Sequence, residues 1–598
     1  MNERKFIFLL IILLEFIILI QCSIDVNKNK ETVQKLFGEN KEINEVTISN
    51  ENNNNNNNKN NNNLAIKCHN GIFIGKKSKD NVISYKGIPY AKPPIGELRW
   101  KEPILAEESN KTFEAYYFGK SPIQTEFPSE LGSYYPQMIV FFHGGSYGWG
   151  GTSDPLYDGN NLIKKYHDVI LITVEYREGL LGFIDFTSVP GGEDYKTSGN
   201  LGLLDCICAL EWIQKNISNF GGDPTTITIM GESAGGGIVS LLPIITKSLK
   251  REGLFKRMIG QSGSINLTYS KKECQKLTEL LLEKTNKSDM KGLLSLTEKE
   301  LIEINKEISE YNNFPERDGI LLPEDLYETY ETGQVTQGID LLVGSNKDEV
   351  RYWIKEMEYE VKFFKGQFTY EHAFPILYEN DLKKLNKNKE DQERVKLFIN
   401  SMNDKKIWKI TEFYNEIIFR LPMIKQAEFH SKHGGHAFVY QWNYSGEDEI
   451  LGACHGIELS SIFNNLSITT YTGNRTNQKL ANEVQDMWIN FARQGNPSTS
   501  QNQWGEYDIH ERNVMILDET FKQEKNLKED QRILLEPLLK YYMNGCYRQL
   551  SMNVPQIYKI GAQLIGTLFI FIFGIVGIIY SIFYMKNQYR RIKNETII

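Results

Sequence analysis

Short apolar runs that end in glycine-bearing turns, each followed by a helical pattern, recur through the middle of the chain. Met138–Phe142 runs into His143-Gly144-Gly145 and Val169–Tyr176 into Arg177-Glu178-Gly179. Thr226–Met230 leads to Gly231, and Leu341–Val343 to Gly344-Ser345-Asn346. Short, mostly apolar runs of this length suit strands buried on both faces. Between them lie helical repeats such as Leu203–Asn216, where Leu204, Ile207, Leu210 and Ile213 share one face. Strands alternating with helices predict an α/β architecture with a central, mostly parallel twisted sheet flanked by helices. Chemistry in such sheets gathers at the carboxyl ends of the strands. Residues 270–335 and 355–430 are helix-rich and charged, and read as helical insertions or a cap.

The two ends break this pattern. Residues 1–22 carry Arg4 and Lys5, then the apolar run Phe6–Ile20, as a secretory signal peptide does. Residues 23–67 are polar and hold the tract Asn52–Asn63, broken only by Lys59, which predicts a disordered spacer. A folded domain is expected over 68–545. Gly561–Met585 is uncharged and long enough to span a bilayer as one C-terminal transmembrane helix. The basic tail 586–598, with Lys586, Arg590, Arg591 and Lys593, then lies in the cytoplasm. These ends predict a single-pass type I protein of the cell surface or a secretory-pathway membrane, with its folded bulk outside the cytoplasm.

Composition narrows the partners. The 598 residues hold 68 Lys+Arg against 76 Asp+Glu, a net charge of −8, which argues against a nucleic-acid binder. The 7 cysteines (Cys22, Cys68, Cys206, Cys208, Cys274, Cys454 and Cys546) show no zinc or redox spacing and fix no disulfide connectivity. His69, His167, His372, His430, His433, His436 and His510 also lack companions at ligand spacing, so neither metal nor cofactor is expected. N-x-S/T triplets at Asn110, Asn216, Asn266, Asn286, Asn443, Asn465 and Asn474 are glycosylation candidates. Oligomeric state is not legible.

The strongest chemical signal is Gly231-Glu232-Ser233-Ala234-Gly235, which follows a strand and opens a helix. A nucleophile on so tight a turn needs small neighbours, and the turn aims the helix N-terminus at a developing oxyanion. Upstream, His143-Gly144-Gly145-Ser146 can present backbone N–H groups. Those of Gly145 and Ser146, with that of Ala234, would form the oxyanion hole. Downstream, Glu349 and His455 each follow a strand, giving the chain order serine, acid, histidine. His455 would take the Ser233 proton, Glu349 would hold the imidazole, and water would hydrolyse the acyl-enzyme. Asp348 is the neighbouring alternative acid. Cys454 reads as packing, and Glu232 either tunes the field at Ser233 or is simply a hydrogen-bonded carboxylate.

These stretches resemble the type-B carboxylesterase/cholinesterase family, whose α/β-hydrolase fold the chain would share over Ile72–Tyr542. The matching segments are Tyr85-Lys86-Gly87-Ile88-Pro89-Tyr90-Ala91, Gly199-Asn200-Leu201-Gly202-Leu203-Leu204-Asp205 and Asn219-Phe220-Gly221-Gly222-Asp223-Pro224. The Ser233 turn, Asn346-Lys347-Asp348-Glu349, His455-Gly456, Trp488-Ile489-Asn490-Phe491-Ala492 and Gly495-Asn496-Pro497 complete the series. The resemblance implies a hydrolase of small carboxylic esters with the triad Ser233, Glu349 and His455, and a structural Arg177–Asp205 ion pair.

Two departures stand out. Ser146 occupies the place of the family's third glycine. The family's S-E-D-C-L-Y-L-N segment is absent between Gln124 and Met138, which implies a missing strand and leaves Cys68 and Arg99 without their family partners. Cys274 likewise meets no cysteine before Cys454. The missing stretch is where cholinesterases carry their choline-binding aromatic, so the resemblance implies a general ester hydrolase. The alternative is a non-catalytic cell-surface adhesion protein of the neuroligin type.

Overall fold

The computed structural model describes residues 64–119, 138–308, 313–355, 388–544 and 584–586. The expected signal peptide, all but the end of the spacer, the basic tail beyond Lys586 and nearly all of Gly561–Met585 lie outside them. Among the described residues no helix is long and apolar enough to cross a membrane.

The first strands are β1 (Ala65–Cys68), β2 (Gly71–Ile74) and β3 (Thr112–Glu114), which form a small sheet in the order β1-β2-β3. The last residues of the stretch expected as spacer, Leu64–Lys67, are described and enter β1. Cys68 is buried and the Tyr85 hydroxyl donates to Leu64 O, which ties this end to the small sheet.

The main sheet has eight strands: β4 (Met138–Phe142), β5 (Ile170–Val174), β6 (Thr228–Glu232), β7 (Arg257–Gln261), β8 (Asp340–Asn346), β9 (Ala437–Trp442), β10 (Asn513–Leu517) and β11 (Lys522–Lys525). Their order is β11-β10-β9-β8-β7-β6-β4-β5. All pairs are parallel except β10–β11. Every residue of β4, β6, β9 and β10 is buried, as parallel strands covered on both faces should be.

The series is continuous. The shortfall before Met138 leaves no vacancy inside the sheet, because β4 pairs with β5 on one side and β6 on the other. The strand implied to be missing therefore does not lie between any two of these eight, and among the described residues the sheet ends at β5.

Helices α1 (Leu201–Asn216) and α2 (Ala234–Ser248) are buried over most of their length. Charged helices α3 (Lys271–Thr285), α4 (Glu298–Ile308), α5 (Lys389–Ser401), α6 (Lys406–Tyr414) and α7 (Leu421–Lys432) fill the regions read as insertions, and α8 (Gln478–Gln494) follows β9.

One family feature is present and others have different partners. Arg177 meets Asp205 through a two-pronged contact, with Nε to Oδ2 at 2.8 Å and Nη2 to Oδ1 at 2.7 Å. Arg99 donates instead to the carbonyls of Leu294 and Leu296. Cys68, Cys206, Cys208, Cys274 and Cys454 are all free thiols in buried positions.

Candidate active site

Ser233 sits between β6 and α2 with φ 58° and ψ −120°, a backbone that few non-glycine residues adopt. Close packing fixes it there. A Cβ on Gly235 would fall 1.9 Å from Phe142 O, one on Gly231 2.3 Å from Gly235 O, and one on Gly263 2.0 Å from Ser233 O. Main chain therefore lies against main chain on three sides, which only glycine allows. One further bond, from Ser233 N–H to Gln261 O at 2.8 Å, ties the turn to β7.

The loop after β4 passes directly over this turn. A Cβ on Gly144 would approach Ser233 Cβ to 3.1 Å. Gly145 has φ 110°, and Ser146 and Tyr147 follow at 53° and 59°. Ser146 thus takes the left-handed conformation that a third glycine would adopt freely. The N–H groups of Gly145 and Ser146 find no backbone acceptor among the described residues, and Ala234 opens α2. The N-terminal N–H groups of a helix have no intrahelical partner, so this corner can receive an anion.

Glu349 and His455 come together. Glu349 Oε2 lies 2.6 Å from His455 Nδ1, while its Oε1 accepts from Ser262 Oγ and Asn346 N–H, both at 2.6 Å. Asp348 is directed elsewhere: it accepts from Ala453 N–H and pairs with Arg351. The structure thus separates the two acids that adjacency left open.

The other ring nitrogen behaves differently. His455 Nε2 makes no hydrogen bond with Ser233, and its close charged neighbour is Glu232 Oε1 at 3.2 Å, off the line of a hydrogen bond. Such contacts often tighten only when substrate binds. Burial alone would depress the His455 pKa, but Glu232 and then Glu349 outweigh it and raise the value to about 9. Burial raises Glu232 to about 8 against the pull of His455. Glu458, three residues beyond His455, is also buried and raised by burial and Glu349 to about 7. It accepts from Gln261 Nε2 at 3.0 Å and Asn346 Nδ2 at 2.6 Å.

Aromatic rings wall the site. Trp353, Phe419 and Tyr352 lie 4.9, 5.3 and 6.2 Å from the His455 ring, and Trp353 stacks on Phe419. Glu458, Ser262, Trp353 and Phe419 are not marked by motif reading, and Asn346 enters only as part of the Asn346-Lys347-Asp348-Glu349 motif, with no role of its own. Ser262 and Asn346 do stand at the carboxyl ends of strands, where a search for polar residues could have found them.

The glycosylation candidates divide by burial. Asn216, Asn266 and Asn465 are buried, and their amide nitrogens donate to Trp212 O, to Ile418 O, and to the carbonyls of Pro155, Leu156 and Asp158. A glycan on any of these three has no place in the fold, because it would consume a satisfied buried donor. Asn110, Asn286 and Asn474 are exposed, and Asn443 is half-buried.

The Carboxylesterase family matches residues 62–534. The para-nitrobenzyl esterase of Bacillus subtilis (strain 168) is 29% identical over 502 residues, covering 77% of this chain and 96% of that protein. Mouse carboxylesterase 1C is 28% identical over 501 residues, covering 75% and 87% respectively. Among solved structures, the Geobacillus stearothermophilus carboxylesterase at pH 6.2 superposes with a TM-score of 0.69 at 27% identity, over 79% of this chain and 99% of that one. These neighbours support the α/β-hydrolase fold, and relatives named as esterases do not favour the adhesion reading. Fold, match and relatives agree: the chain belongs to the carboxylesterase family and is a carboxylic ester hydrolase.

Proposed function

We propose that the chain cleaves esters through an acyl-enzyme on Ser233. His455 acts as general base and then general acid, and Glu349 holds its ring. The observation that carries this reading is the 2.6 Å Glu349–His455 contact, in a site that also holds a strained serine turn. In the first half-reaction Ser233 Oγ attacks the ester carbonyl as His455 Nε2 takes the hydroxyl proton. The N–H groups of Gly145, Ser146 and Ala234 receive the oxyanion, and the alcohol leaves with the proton from His455. Water then repeats the sequence on the acyl-enzyme and regenerates Ser233.

Rings of Trp353, Phe419 and Tyr352 beside His455 favour small esters with an apolar or aromatic group on one side. Para-nitrophenyl and para-nitrobenzyl esters are the first substrates to assay. Full-length chain should release nitrophenol, and Ser233→Ala should lower kcat by roughly 10⁴-fold or more without changing the melting temperature. Equal turnover in both would end the reading.

The apolar run Gly561–Met585 and its basic flank favour a membrane-anchored, exported enzyme with glycans at the exposed Asn110, Asn286 or Asn474. Carbonate extraction followed by glycosidase digestion tests this. Release into the soluble fraction would contradict the anchor, and absence of any glycan would contradict the modification.

A further inference from the structure

Between α6 and α7 the chain makes a single π-helical turn, Asn415–Arg420, with all six residues buried. Such turns are rare and insert a residue into an otherwise regular helix, which redirects the side chains on either side of it. Two of those residues face the site. Phe419 lies 5.3 Å from the His455 ring and stacks on Trp353. Asn415 reaches the loop that carries Glu349: its Oδ1 accepts from Val350 N–H at 2.9 Å, and its Nδ2 donates to Lys347 O at 3.2 Å. A second contact from Nδ2 goes to Glu412 Oε2 at 3.2 Å.

The other two polar residues of the turn anchor it from behind. Arg420 Nε donates to both Glu416 oxygens, at 2.7 and 2.8 Å, and Lys528 Nζ contacts Glu412 at 2.5 Å and Glu416 at 3.0 Å. Glu416 is fully buried. A rigid ion cluster thus stands behind a side-chain amide that grips both ends of a four-residue segment. Glu349 is third in that segment.

We propose that Asn415 is a positioning residue for ester hydrolysis: by bridging Lys347 O and Val350 N–H it sets the backbone from which Glu349 meets His455. The proposal rests on the catalytic reading of Glu349 and His455 given above. Asn415 touches neither substrate nor the reacting atoms, so its effect must pass through the Glu349–His455 contact. The groups facing that ring are Glu349, Glu232 and Glu458 with the rings of Trp353, Phe419 and Tyr352.

The test compares Asn415→Ala and Asn415→Ser with wild type and with Asn513→Ala, a buried asparagine of the sheet whose amide donates to Glu506 O. Turnover of para-nitrophenyl acetate by full-length chain is followed against pH, with thermal melts in parallel. Loosening the loop should lower kcat about 10- to 100-fold with KM changed by less than about 3-fold, since small misplacements of a catalytic group have effects of that order. It should also move the acid limb of kcat to lower pH, because a less well-held Glu349 stabilises the imidazolium less. Asn513→Ala should shift only the melt. Wild-type kcat and acid limb in both folded Asn415 variants would overturn the proposal. Loss of the cooperative melt in both would also overturn it, in favour of a role in the fold alone. If Glu349→Gln in the same assay leaves kcat unchanged, the catalytic reading itself fails, which is a separate result.

Discussion

The two halves of the site are held by different physics. On the Ser233 side position is set by contact of backbone with backbone: Gly231, Gly235 and Gly263 each leave no room for a Cβ, and Gly144 lies close above the turn. On the His455 side it is set by hydrogen bonds and charge, through Ser262, Asn346, Glu349, Glu232 and Glu458. The difference teaches where each half is vulnerable. A steric mould fails abruptly when one methyl is added, whereas a polar network loses function by degrees and responds to pH.

The largest effect should come from adding that methyl. Gly235→Ala places a Cβ 1.9 Å from the main-chain oxygen of Phe142, at the end of a strand paired on both sides. Expected is a loss of about 3 kcal/mol or more of stability, read by urea unfolding, together with loss of esterase activity. A stable, active variant would show that the turn is not a mould.

Next comes the ion cluster behind the polar half. Burial would raise the Glu416 pKa, but Arg420 and Lys528 outweigh it and hold the carboxyl at about 2, below its ordinary 4.5. A depressed carboxylate stabilises the fold above its unfolded pKa and loses that contribution as pH falls through the folded value. Glu416→Gln should therefore cost about 3 kcal/mol at pH 7. The difference from wild type should shrink as pH falls from about 4.5 toward 2 in denaturant titrations. A pH-independent difference would contradict the charge account.

Smaller still is Ser262→Ala, which removes one of two 2.6 Å donors to Glu349 Oε1. Loss of one such bond to a charged group is worth about 1.5 to 3 kcal/mol, expected here in kcat rather than in KM. Steady-state kinetics with a melting control separates that effect from unfolding.

The least effect on rate, and the clearest sign, belongs to Glu232→Gln. Taking away the carboxylate 3.2 Å from His455 Nε2 removes a group that favours the charged ring. The His455 pKa should fall from about 9 and the acid limb of the pH–rate profile should move to lower pH. At high pH, where the ring is already neutral, turnover should differ from wild type by less than about 3-fold. An acid limb that stays in place would mean Glu232 does not act on His455.

The same contrast explains what could be read from the chain. The steric half is largely local: Gly231 and Gly235 sit two residues away on either side of Ser233, so a motif captures them, and Gly144 stands in the His143-Gly144-Gly145-Ser146 stretch, whereas Gly263 lies in no such motif. Strands of the parallel sheet were legible for a similar reason, since burial on both faces leaves runs such as Met138–Phe142 without a polar residue. The polar half was only partly legible. Glu349 and His455 are flagged by family motifs, but Ser262 reaches Glu349 from 87 residues away and Gln261 reaches Glu458 from 197. Asn415 is not marked by a motif either, because its partners on the Glu349 loop lie 65 and 68 residues upstream. The stretch missing before Met138 was visible, but its consequence was not. The sheet closes β4 between β5 and β6, so the shortfall falls outside the ladder.

The central claim is that Ser233 is an activated nucleophile. Its most direct test is to treat full-length chain with a fluorophosphonate, which phosphonylates an activated serine with loss of fluoride, and to map the adduct by mass spectrometry. The account predicts one adduct, on Ser233, absent in Ser233→Ala and strongly slowed in His455→Ala and Glu349→Gln. A cooperatively melting wild-type chain that takes no label, or that carries it on another residue, would contradict the account.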